Sequence, residues 1–275
     1  MRAFYLFHDH WYQYVKADLL ASQYPIAGFV VIRRQRDAWC RYLWKRAKRI
    51  GFFKVLDELL LRLYWTLFKS WGEHRKLKHL MAETRKRLPA AYQRPPVHYI
   101  DNINSDAGRQ VLRALEPDVC VLMVHPILSK KTFSIPPLGM LVFHPGVTPE
   151  YRGPHSAFWA TTNNEFWGIG WSLLRVDEGI DTGQVLAQRS CTSVDPIIES
   201  HVMMQHNSHV DGTKDVANVL RRLEHGEQPR VEMINRRSRN YTHPGITEYI
   251  RLLAVRRELS KGGGPKGAPK PAGLL

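Results

Sequence analysis

Short apolar runs separated by helical patterns constrain this chain most. Ala3–Phe7, Ile26–Ile32, Val97–Ile100, Val119–Val124, Met140–Phe143, Ile169–Val176 and Gln184–Gln188 each have the length and composition of a strand. The first two flank a helical pattern over roughly 14–22, and the opening βαβ order suits a doubly wound, mostly parallel α/β sheet. No G-x-G-x-x-G follows the first run, so dinucleotide binding in the usual manner is disfavoured.

The segment from Arg36 to Arg87 breaks this alternation. Trp39, Leu43, Trp44, Ala47 and Ile50 recur at helical spacing, as do Val55, Leu56, Leu59, Leu60, Leu63, Tyr64, Leu67 and Phe68, with Gly51 as a hinge between the two runs. This reads as a helical insertion after the second strand. Its apolar stripe suits a core or partner-helix surface, and its mixture of Trp, Leu, Lys and Arg also suits a peripheral membrane contact. Lys76 to Arg87 reads as an exposed basic helix ending near Pro89.

Further on, Ser105 or Asp106 can cap a helix that ends near Leu115, and 154–164 reads as a helix with Phe158 and Trp159 facing the core. A long helical pattern over 199–225 is expected to be interrupted near Asp211-Gly212, and 246–259 reads as a final helix. The expected organisation is an α/β domain over 1–195 with the insertion at about 36–90, a helical extension over 196–260 packed on it, and a disordered basic tail over 261–275.

The formal net charge is +15. Such a balance suits either solvated helix faces or attraction to a polyanion, and charge alone does not choose. The three cysteines are far apart and form no Cys-x-x-Cys pair, so a reducing cytoplasm and no structural zinc are expected. No apolar run is long enough to span a bilayer, and Met1 to His10 lack the pattern of a signal peptide.

Two blocks carry the chemistry. His144-Pro145-Gly146-Val147-Thr148-Pro149-Glu150-Tyr151-Arg152-Gly153 follows one apolar run, and Asp177-Glu178-Gly179-Ile180-Asp181-Thr182-Gly183 follows another. A histidine at a strand end and an acid in a Gly-bounded turn can meet above one sheet edge as an acid–base pair.

Together the blocks resemble the formyltransferases that use 10-formyltetrahydrofolate. The resemblance is good over roughly 97–190 and implies a Rossmann-like formyltransferase fold with helices on both faces of the sheet. It implies transfer of a formyl group to a primary amine, with His144 and Asp181 as catalytic residues. His144 would help stabilise charge on the formyl oxygen, and Asp181 would hold the imidazole charged and assist proton transfer. By the same resemblance Pro126, Ile127 and Leu128 offer main-chain groups to a pterin edge, while Asp177, Glu178 and Gly179 shape the loop that receives it. Tyr151 and Arg152 would orient the acceptor, although a plain salt bridge suits the arginine equally. His-Pro-Gly is closer to the sugar-type members than to the tRNA and purine types. The expected acceptor is therefore a small anionic amine such as a nucleotide-linked amino sugar. No specific nucleic-acid partner is expected, and an oligomer is open.

One position departs from the pattern. The family places an asparagine two residues before the histidine, and Val142 stands there. Loss of such an amide donor commonly costs about 100- to 1000-fold in rate. Three outcomes stay open. Asn102, Asn104 or Asn163 enters the site instead; the fold serves a related reaction, such as hydrolysis of the formyl cofactor; or the chain binds folate or a metabolite without catalysis.

Overall fold

The computed structural model describes residues 1–33, 39–123, 127–262, 270 and 274. Pro126, the last residue of the expected strand 119–124, and most of the expected basic tail lie outside them.

Chain order is β1 (Ala3–His8), α1 (Trp11–Ala21), β2 (Gly28–Ile32), α2 (Trp39–Ile50), α3 (Phe52–Tyr64), a π-helical turn (Trp65–Lys69), α4 (Ser70–Arg85), β3 (Val97–Ile100), α5 (Asp106–Ala114) and β4 (Val119–Leu122). There follow α6 (Lys130–Phe133), β5 (Met140–His144), α7 (Ser156–Thr162), β6 (Gly170–Arg175), β7 (Val185–Ser190), α8 (His201–Glu224) and α9 (Ile246–Ser260). Among the described residues seven strands form one sheet in the order β3-β2-β1-β4-β5-β6-β7. β1 to β5 pair in parallel, and β6 pairs antiparallel with both β5 and β7. The strand order reverses at β1, and open α/β sheets place ligands outside the carboxyl ends of the strands near such a point.

The central strands read as continuous apolar runs because both faces are covered. Phe4, Tyr5, Leu6, Phe7, Phe29, Val30, Val31, Cys120 and Val121 are all buried in one core. Burial pushes the Tyr5 pKa well up. The α5 N-terminus is capped as expected, with the Gly108 amide donating to Ser105 Oγ at 3.0 Å.

Two expectations are corrected. The helix from Lys76 to Arg87 is not simply an exposed basic helix. It is the end of α4, whose Met81, with Leu77 and Leu80, packs against Val15 and Leu19 of α1 and Val210 of α8. The pattern over 199–225 is one uninterrupted helix, α8, which adds Val216, Ala217, Val219, Leu220 and Leu223 to the main core. Gly212 does not break it, because its missing side chain makes room for Trp171. A Cβ at Gly212 would lie 2.7 Å from three indole atoms. Helix propensity alone would make Gly212→Ala stabilising by about 1 kcal/mol. We expect instead a loss of about 1–3 kcal/mol from overpacking, read as a lower urea midpoint. An unchanged or higher midpoint would contradict this packing.

Candidate active site

β5 ends at His144, whose ring is almost fully buried. Its Nε2 donates to the Tyr151 carbonyl at 2.8 Å, and its Nδ1 lies 3.4 Å from Asp181 Oδ2. Each ring nitrogen therefore faces an oxygen acceptor. Asp181 sits in the β6–β7 loop in the left-handed region, at φ 51°, and its Oδ2 also accepts the Gly153 amide at 2.9 Å. The two blocks thus meet at Asp181 Oδ2, which accepts the Gly153 amide and lies opposite the imidazole, and the imidazole and carboxylate are both sequestered from water.

The loops are fixed from several sides. Asp177 Oδ1 accepts from the Gly179 amide at 3.0 Å and from Thr182 Oγ1 at 2.7 Å, which folds the acidic turn on itself. Arg152 donates to the Ile180 carbonyl at 3.0 Å and ties that turn to the histidine loop. Ser172, opposite His144 in the β5–β6 register, donates to the Gly146 carbonyl at 2.7 Å and accepts from the Thr148 amide at 3.0 Å. Gly146 must be small, since a Cβ there would lie 2.9 Å from His144 Nε2 and closer still to Ser156. A strap from the C-terminal part holds the loop from below. Glu150 pairs with Arg236 at 2.5 Å, and the main chain of Arg152 bonds to Arg239 and Tyr241. Sequence reasoning missed Ser172 and this strap; a serine inside an apolar strand facing the histidine was the only signal.

The predicted site residues divide accordingly. A narrow slot beside Asp181 has Val142, Leu122 and Leu174 along its apolar wall, and Ile127, Leu128, Asp177 and Gly179 also line it. Its cavity volume is about 80 Å³. Glu178 is not part of the lining: it is exposed and pairs with Lys130 at 3.0 Å. Tyr151 does not face an acceptor either. Its side chain is fully buried, its hydroxyl donates to Glu165, and its ring stacks on Tyr241 with centroids 5.5 Å apart. Burial, then the Glu165 bond, push the phenol pKa well up. What Tyr151 offers the site is its carbonyl, which no side-chain pattern reveals.

The three asparagines weighed as substitutes for the missing amide bond elsewhere. Asn104 donates to the Ile127 carbonyl at 2.8 Å and accepts from the Ser129 amide at 2.8 Å, so it shapes the slot's outer loop. Asn102 accepts from the Asn104 amide at 2.9 Å, and Asn163 donates to the Tyr241 hydroxyl at 2.7 Å.

On its other side His144 borders a second hollow of about 250 Å³ with Lys16, His155, His206 and His209 among its lining. Lys16 Nζ lies 2.7 Å from His206 Nδ1 and 3.4 Å from His209 Nδ1, and His209 Nε2 donates to the Phe143 carbonyl at 3.0 Å. Burial lowers the Lys16 pKa to about 7 and holds both imidazoles well below their ordinary range. A third cavity, about 370 Å³ and mostly apolar, lies beneath α3 and shares His155 and Val202 with the second. Burial lowers the His155 pKa to about 4.

The sheet and site together define an α/β protein whose His–Asp pair stands at the carboxyl end of β5, between the slot beside Asp181 and the hollow beside Lys16, His206 and His209. Residues 75–228 match the family model for formyl transferases, and the chain belongs to that family. The match begins within α4 and leaves α2 and α3 outside it. The chain is 30% identical over 154 residues to a methionyl-tRNA formyltransferase from Syntrophus aciditrophicus, covering 56% of this chain and 48% of that protein. It is 26% identical over 121 residues to the cytosolic 10-formyltetrahydrofolate dehydrogenase of Xenopus tropicalis, covering 44% of this chain and 13% of that protein. The chain thus spans about half or less of the length of these curated relatives. A sugar N-formyltransferase from a Shewanella species shares the fold at a TM-score of 0.52 and 14% identity, over 93% of this chain and 88% of that one.

Proposed function

We infer that this chain moves a formyl group from 10-formyltetrahydrofolate to a primary amine, and that the amine belongs to a small anionic molecule such as a nucleotide-linked amino sugar. The observation that carries this reading is the buried His144–Asp181 contact at the end of an apolar slot. The slot's chemistry suits a pterin: flat apolar walls at Leu122, Val142 and Leu174, and a carboxylate at Asp181. Its small volume suits the edge of a flat ring rather than a whole cofactor. Ile127, Leu128, Asp177 and Gly179 would hold that ring, and the bound cofactor would supply a formyl group on nitrogen.

The protein's own groups divide the work. Asp181 borders the slot, where it would accept the proton that the amine must lose and return it to the nitrogen that the formyl group leaves. His144 and the Gly153 amide hold the carboxylate in place, and the imidazole stabilises its charge. The hollow on the far side of His144, where Lys16 contributes positive charge when protonated, suits the approach of an anionic amine. The division into 1–195 and 196–260 belongs to the same proposal.

A second reading has its own support. Val142 presents no donor to the slot, and both His144 nitrogens are turned towards protein oxygens, so a binding protein without turnover also suits this site. Calorimetric titration with 5-formyltetrahydrofolate, combined with assays for N-formyl amine and for formate, separates the readings. Formyl transfer predicts binding plus amine-dependent product. Binding alone favours the second reading, and formate without amine indicates hydrolysis. We further expect Val142→Asn to raise the transfer rate by about tenfold or more, at a stability cost of about 1–3 kcal/mol for the amide placed beside Leu174 and Val185. An unchanged rate would mean that another donor already serves the formyl oxygen.

A further inference from the structure

The insertion carries an apolar face that nothing in the described structure covers. α3, the π-helical turn and α4 run on from Phe52 to Arg85. Phe53, Leu56, Leu60, Leu63, Leu67 and Trp71 follow one another three or four positions apart, which puts them on one side of that run. All six are exposed, from 43% at Leu56 to 83% at Phe53. The opposite side is the one used for packing: Leu61, Tyr64 and Trp65 meet Phe158, Tyr249 and Leu252. The sequence stripe therefore serves two surfaces, and only one of them is core.

Charge decides what covers the other. Between residues 39 and 87 there are fourteen Lys or Arg and four Asp or Glu. The three acids nearest the stripe all turn inward. Asp57 accepts from the Thr247 amide at 3.0 Å, Glu58 pairs with Arg46 at 2.6 Å, and Glu73 accepts from Ser200. Their side chains are only 11–15% exposed. The exposed charges beside the stripe are Lys45, Lys48 and Arg49 at one end and Lys69, Arg75 and Lys76 at the other. Each end also carries a cation over an exposed indole: Lys48 lies 3.5 Å from the Trp44 ring centre and Arg75 lies 4.8 Å from that of Trp71.

We propose that this face seats on an anionic lipid bilayer, with α3 lying in the plane of the surface. A continuous apolar helix side flanked by Trp, Lys and Arg is the pattern of an interfacial helix, and an apolar patch of this size marks an interaction surface. Protein interface cores are depleted in lysine, whereas lipid phosphates pair with the surrounding cations and acyl chains take up the stripe. Among the described residues no helix is long and apolar enough to cross the membrane, so the contact is peripheral. The proposal does not depend on formyl transfer.

The test is flotation of the full chain with phosphatidylcholine vesicles and with vesicles that also contain phosphatidylglycerol. The protein is expected to float with the anionic vesicles, far less with the neutral ones, and less as salt is raised. The variant Phe53→Ser/Leu60→Ser/Leu67→Ser changes only exposed side chains. It is expected to keep the wild-type melting temperature and to lose binding by about tenfold or more. Failure of the wild-type chain to float overturns the proposal. So does equal binding by the serine variant, or a solution dimer that the variant dissociates, which would assign the face to a second copy.

Discussion

Asp181→Asn is expected to lower formyl transfer by about 10²- to 10⁴-fold, the usual worth of a positioned general base. The amide has the same shape and keeps an oxygen for the Gly153 amide, so the loop geometry at 2.9 Å should survive. What it cannot do is accept the amine's proton or hold a negative charge opposite His144 Nδ1. His144→Ala is a poorer test, because the ring is buried and donates to the Tyr151 carbonyl at 2.8 Å. Removing it orphans that carbonyl at a cost of about 1–3 kcal/mol, so lost activity would be mixed with lost stability. For Asp181→Asn, an unchanged melting temperature with collapsed turnover supports the assignment. Wild-type turnover would remove Asp181 from the chemistry.

The second large effect concerns stability rather than rate. Lys16 is fully buried on α1, and its folded pKa of about 7 lies well below the ordinary value of 10.5. Between those two values the unfolded chain binds a proton that the folded chain does not, so stability rises with pH across that window. Below pH 7 both states carry the charge and the full penalty stands. Lys16→Met removes the penalty and keeps the side-chain volume. The variant should gain about 3–5 kcal/mol over the wild type below pH 7, with the gain shrinking towards pH 10.5. Loss of the ammonium's contacts with His206 Nδ1 and His209 Nδ1 offsets part of that gain. Chemical denaturation of both proteins across this range measures the difference, and a constant difference would contradict a titrating Lys16. The two imidazoles act in the same direction at lower pH. Their folded pKa values lie well below 6.5, so the stability they contribute is lost as pH falls below that value in both proteins.

The pairing of His144 with Asp181 was legible because both sit in short turn-rich blocks that directly follow strands. The insertion was legible as helix, since periodicity reports a face. It could not say which of the two faces is covered: Leu61 and Leu60 are neighbours in one apolar run, yet only the first is buried. An aromatic in a site loop suggests a side-chain role for Tyr151, whereas it is the Tyr151 carbonyl that meets the histidine. The Lys16–His206–His209 cluster was invisible, because α1 and α8 meet only through the packing of the fold. Gly212 shows the same limit, since its reason is the indole of a distant strand rather than anything local.

The carboxylate held by His144 and Gly153 is proposed to take part in moving a formyl group onto an amine. Incubating the chain with 10-formyltetrahydrofolate and an amino-sugar nucleotide, and following the products by mass spectrometry, tests it most directly. N-formyl product is expected to accumulate with the wild type and to be nearly absent with Asp181→Asn. Folate bound without any N-formyl product, or the same product yield from both proteins, would contradict it.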